Sequence, residues 1–140
     1  MGTRVLVALS LALATMAAGC TTSRSNNDSA GDFKGAQAQV ASTVEDLESA
    51  ASKGDEAEIC GRLLAAGLVD RLSSSGRDCS TTVHDALENT DSSDLTVESV
   101  RIAGPTAIAR VKADTGDRDR VVTIGLTRER GRWKIARLPS

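Results

Sequence analysis

Aromatic residues are nearly missing from this 140-residue chain, which has one phenylalanine, one tryptophan and no tyrosine. Core volume must therefore come from Leu, Val, Ile and Ala, which implies a small core of modest stability. Histidine occurs once, at His84, so an imidazole-based metal centre would lack ligands, and no cofactor is expected. The sequence has no G-x-S-x-G turn for a nucleophilic serine, no phosphate-binding loop, no zinc spacing and no EF-hand pattern. Ser73 to Ser75 read only as a polar turn. A sequence pI near 5.4 and two aromatic rings argue against a nucleic-acid partner. Nor is any apolar run long enough to remain in a membrane. The run from Val5 to Ala18 has fourteen uncharged residues, roughly 21 Å as a helix against a hydrocarbon core of about 30 Å.

What is present begins with that run. Arg4 precedes it and the small residues Ala17, Ala18 and Gly19 follow, the order of a secretory signal peptide. Ala17-Ala18-Gly19-Cys20 resembles the lipobox of bacterial lipoproteins, with alanine at 17 where leucine is commonest. The resemblance implies that the thiol of Cys20 receives a diacylglyceryl group and that residues 1–19 are removed. Cys20 would then be the mature N-terminus. The alternative is an ordinary cleaved signal with Cys20 incidental. Two acyl chains hold a protein stably at about 0.8 kcal/mol per buried methylene. The partner expected for this end of the chain is thus the membrane, through the anchor on Cys20. Location is expected to be extracytoplasmic, on the cell membrane or on an outer membrane if the host has one. Residues 20–31 are expected to form the lipidated cysteine and a tether, since TTSRSNNDSAG cannot bury enough surface to fold. Residues 32–140 are expected to form one domain.

With Cys20 lipidated, two cysteines remain, Cys60 and Cys79, in a chain bound for an oxidising compartment. A disulfide between them is expected; the other reading is a pair of buried thiols. Eighteen residues separate them, and closing such a loop is worth about 3 kcal/mol in the chain-entropy account.

The hydrophobic period changes once along the folded part. Phe33, Ala36, Val40, Val44, Leu47 and Ala51 recur every three or four residues and predict a helix. Asp32 is the expected N-cap and Lys53-Gly54 the stop. Asp55 and Glu58 stand in capping-box positions for a second helix, with Cys60, Leu63 and Leu64 facing inward and a break expected at Gly67. Leu68 to Leu72 and Cys79 to Glu88 are expected as further short helices. From Leu95 the pattern becomes that of strands: Leu95 to Ala103, Thr106 to Ala113, Arg120 to Arg128 and Arg132 to Leu138. Short breaks rich in Gly, Pro and Asp predict an antiparallel meander. Parity slips between Leu95/Val97 and Val100/Ile102, which predicts a β-bulge near Glu98-Ser99.

Helices followed by four antiparallel strands give an α+β fold, N-terminal helices packed on a bent sheet. The order is similar to NTF2-like (cystatin-like) domains. The likeness rests on Ser52-Lys53-Gly54-Asp55, the Cys60 and Cys79 pair, GPTAIARVKA and Gly131-Arg132-Trp133-Lys134-Ile135. It implies a sheet wrapped around the first helix, but the superfamily spans isomerases, cyclases, carriers and inhibitors, so fold does not fix function. Its isomerase-like members use an acid or histidine base with tyrosine or protonated-acid donors, and this chain has no tyrosine. His84-Asp85 is the one adjacent base-and-carboxylate pair. Neighbours on a helix point about 100° apart, so the two do not face one pocket comfortably.

Charge is divided along the chain. Ser25 to Glu98 holds fifteen acids and five bases, whereas Ser99 to Ser140 holds four acids and ten bases. Either the two layers neutralise each other, or Arg101, Arg110, Lys112, Arg128, Arg132 and Lys134 form a basic face for an acidic partner or anionic headgroups. The expected function is a lipid-anchored, non-enzymatic module that binds an envelope protein or a small apolar ligand. The alternative is a small exported isomerase- or hydrolase-like enzyme that uses the interior of the fold.

Overall fold

The computed structural model describes residues 30–74, 76–89, 94–114, 116 and 118–139. The apolar leader, Cys20 and most of the expected tether lie outside the described residues. The described residues begin with a 3₁₀ turn, Ala30–Asp32, whose first amide donates to Glu45 Oε1 at 2.6 Å. Asp32, the expected cap, ends this turn instead. Gly35 follows with φ 57° and ψ −130°, a conformation that a helix cannot contain, so α1 begins after it, at Ala36–Lys53. Val40 and Val44 are fully buried, while Phe33, Leu47 and Ala51 pack half-buried against them. The stop is where the sequence puts it. Gly54 is left-handed at φ 63°, and the amides of Gly54 and Asp55 return to the carbonyls of Ala51 and Ala50, which closes a Schellman turn.

Asp55 Oδ1 accepts the Glu58 amide at 3.0 Å and starts α2, Glu56–Glu58. The reciprocal half of the capping box is not made, because the Glu58 carboxylate accepts from Arg62 Nε instead. A π-helical segment, Ile59–Leu63, follows directly, with Ile59 and Leu63 buried. The chain then breaks at Leu64, three residues before the expected Gly67, and Gly67 lies inside α3, Ala66–Ser73. The physical cause is pairing. Leu64 is extended and bridges Ile135 in parallel, and the Ala65 amide donates to the Ile135 carbonyl at 2.8 Å. Two residues of the helical region thereby cover the edge of the last strand, a common way of protecting a sheet edge. The last helix, α4, Cys79–Glu88, is capped by Asp78, whose carboxylate accepts from the Thr81 amide at 2.8 Å. The Cys60 and Cys79 sulfurs stand at disulfide-bonding distance with their Cα atoms 6.1 Å apart. That contact ties the π segment to the first turn of α4.

Four strands follow: β1 Asp94–Ala103, β2 Thr106–Asp114, β3 Asp119–Glu129 and β4 Arg132–Arg137. They form one antiparallel sheet in sequence order, which makes the protein α+β. The β1–β2 register shifts between Val97 and Ser99, so the bulge lies where the parity slip puts it. A second irregularity, between Gly125 and Leu126, sets Ala136 aside from the β3–β4 ladder. Bulges increase local twist and bend a sheet. In agreement, α1 packs against both edge strands, β1 and β4, as well as β2. Gln37 Nε2 donates to the Val100 carbonyl at 2.9 Å across that interface.

One face of the sheet and the inner sides of the helices make a single core. Ala107, Ala109 and Val111 of β2, Ile124 and Leu126 of β3, and Trp133 and Ile135 of β4 are all buried there with Val40, Val44, Leu63 and Leu64. The other face carries Arg101, Ile108, Arg110, Lys112, Val121 and Thr123, set by the two-residue side-chain period of the strands.

Candidate functional site

The middle of the space between α1 and the sheet, where a ligand or a reaction is expected, is packed with apolar side chains, and a cleft of about 470 Å³ opens at one end between α1, the π segment and β4, lined among others by Thr43, Asp46, Arg62 and Trp133. Val40, Val44, Leu63, Val111, Leu126 and Ile135 meet in the packed middle fully buried, and Trp133 is 6% exposed. The buried Trp133 Nε1 donor has no hydrogen-bond partner among the described residues. Among the described residues the one buried polar side chain is Thr43.

The two members of the only base-and-carboxylate pair have separate partners on the surface. His84 Nδ1 lies 2.8 Å from Glu56 Oε1, and Nε2 lies 3.4 Å from Glu88 Oε1. Asp85 instead pairs with Arg77. The hydrogen bond to Glu56 holds the imidazole pKa above its ordinary value, with the Glu88 charge adding to it, and lowers that of Glu56 in turn. His84 is thus a clasp between α2 and α4. Among the described residues no cluster of three or more His, Cys, Asp or Glu could hold a metal, and no helix is long and apolar enough to cross a membrane.

The six cations read as a basic face divide into three groups. Arg101, Arg110 and Lys112 share the outer face of β1 and β2. Arg110 has Glu98 Oε2 at 3.9 Å, and Lys112 is bonded to Asp119 Oδ2 at 2.9 Å, which raises the lysine pKa. Arg101 makes no ion pair among the described residues. The same row of this face runs Arg101, Ile108, Gly125, Arg137 across all four strands. Ile108 is 50% exposed and Val121, opposite Lys112, is 49% exposed. Arg137 was not among the expected cations, because the β4 bulge that turns it to this face has no signal in the sequence. A Cβ on Gly125 would meet the Arg137 Cβ at 3.1 Å, so glycine keeps this row close-packed.

Arg128 falls on the opposite face, paired in register with Trp133, and does not join the others. Arg132 and Lys134 form the third group, at a cleft of about 820 Å³ between the π segment, α3 and the β3–β4 hairpin. Cys60, Leu64, Val69 and Asp70 line one side; Glu129, Arg130, Arg132 and Lys134 line the other. The hairpin turn is Arg130-Gly131, with φ 50° and 82°, the two left-handed residues of a type I′ turn. Glu129 faces Arg132 across the ladder, yet its carboxylate accepts from the Ala66 amide at 3.2 and 3.4 Å. It supplies the N-terminal cap that Ala65 cannot give to α3.

No known protein family, no curated protein and no solved structure matches the chain.

Proposed function

We propose that the chain is a lipid-anchored, extracytoplasmic module with an NTF2-like arrangement, which performs no catalysis and binds a protein partner at the cell envelope through the outer face of its sheet. The apolar core carries this reading. Among the described residues the buried side chains are apolar apart from Thr43, which supports a working surface over a working interior. On that surface the outer sheet face combines cations with exposed Ile108 and Val121, a composition suited to an acidic partner with some apolar contact. Anchoring through Cys20 rests on the resemblance of Ala17-Ala18-Gly19-Cys20 to a lipobox, and the curled sheet around α1 supports the NTF2-like reading.

The experiment is affinity capture from detergent-solubilised membranes with the wild-type chain and an Arg101→Glu/Lys112→Glu variant. The expected result is a discrete protein retained by the wild type and lost, with the fold intact by circular dichroism, from the variant. Equal retention by both would remove the outer face from the reading.

A further inference from the structure

The cleft beside the β3–β4 hairpin lies apart from the outer face of β1 and β2, and its chemistry is different. It gathers three cations, Arg130, Arg132 and Lys134, and none of them is in an ion pair among the described residues. Their freedom has a structural cause. Glu129, the direct cross-strand neighbour of Arg132, is diverted to the Ala66 amide, so the expected strand-to-strand ion pair is not made. Arg132 and Lys134 are two residues apart on one strand and so share a face, with their backbones about 7 Å apart. Arg130 joins them from the turn, held in the left-handed region that non-glycine residues rarely occupy. An asparagine at this position would satisfy the turn with less strain. A strained arginine at the rim of a cleft points to function.

We infer that this cleft is a binding site for a phosphate monoester or diphosphate group. Guanidinium forks bind phosphate oxygens in pairs, and the extra oxygens and charge of a phosphate dianion let it engage the three cations together. Asp70 and Glu129 also line the cleft. Glu129 is occupied by the α3 amide, and three cations against two carboxylates leave the lining with a net positive charge that favours an anion. The Cys60 to Cys79 contact and the Leu64 to Ile135 bridge fix the opposite wall, so the site is preformed. The phosphate could come from a lipid headgroup or from a soluble phosphorylated molecule.

The test is nuclear magnetic resonance titration of the mature, anchored chain in zwitterionic micelles, first with inorganic pyrophosphate and then with short-chain phosphatidic acid. Saturable shifts confined to the amides around residues 129–134 and 60–66 are expected, and binding at least tenfold weaker in Arg132→Gln/Lys134→Gln. The charge-conserving variant Arg132→Lys/Lys134→Arg should retain most of the affinity, and Arg101→Gln should leave it unchanged. Tighter binding of phosphatidic acid than of pyrophosphate assigns the headgroup as the source; the reverse order assigns a soluble ligand. Absence of saturable shifts with both probes, or equal binding by the glutamine variant, overturns the inference. Either outcome is independent of the membrane capture experiment, which reads the outer face and not this cleft.

Discussion

Glu129 Oε1 lies 3.2 Å from the backbone nitrogen of Ala66, so a strand carboxylate caps a helix whose own N-terminal residue is alanine. A negative charge at a helix N-terminus is stabilising, and here the cap also fixes α3 against the sheet edge. Glu129→Ala should lower unfolding stability by about 1 kcal/mol, read from urea denaturation. Glu129→Gln should lose less, since an amide oxygen still accepts the hydrogen bond. A loss equal to zero for Glu129→Ala would mean that the contact contributes nothing.

The link between Cys60 and Cys79 closes a loop with a sequence separation of 19. Cys79→Ala should cost about 3 kcal/mol under oxidising conditions, and adding reductant should lower the wild type by a similar amount while leaving the variant unchanged. Denaturation midpoints that ignore reductant in the wild type would show that no bond is formed.

Arg130 occupies the first left-handed position of the hairpin turn. Arg130→Asn should therefore raise stability by about 0.5–1 kcal/mol and weaken anion binding at the cleft. Gain of stability with loss of affinity is the signature of strain kept for function. A variant that is less stable would show that the turn prefers arginine for a structural reason.

The His84 clasp gives stability a pH dependence of known sign. Its folded pKa is raised, by Glu56 first and by the Glu88 and Asp85 charges, so the stabilisation is fully present below the unfolded value of about 6.5. It is lost as pH rises through the higher folded value. Because the imidazole is exposed the effect is small. His84→Gln should flatten the denaturation midpoint across that window, from about pH 6.5 upward. An unchanged slope in the variant would exclude the clasp as its source.

Much of the sheet is legible in the residue order, and the reason is local. Alternation of Ala107, Ala109 and Val111 with Ile108, Arg110 and Lys112 sets the faces, and the two-residue turns set strand ends to within one residue. The parity slip around Glu98 locates the first bulge, because a shift of one residue exposes the whole apolar set unless the strand bends. Leu64 and Ala65 show where local reasoning stops. Both are apolar and continue a helical stripe, yet they leave the helix to pair with Ile135, a partner 71 positions away in sequence for Leu64. The start of α1 is missed for a simpler reason: Asp32 is a good cap by type, but Gly35 interrupts the helix behind it. At the candidate site, the residue types of the basic face are legible and their grouping is not. Arg128 falls by parity on the Trp133 side of the sheet, exposed at its end, Arg137 turns outward through the Ala136 bulge, and Arg132 is released because Glu129 finds a tertiary partner.

Placement of the molecule at a membrane surface depends on one covalent event at residue 20, and intact-mass analysis of the mature chain reads it directly. The expected result is a polypeptide that starts at Cys20 and carries the added mass of a diacylglyceryl group on its sulfur. A chain that retains Met1, or one that ends in an unmodified thiol at Cys20, would contradict it.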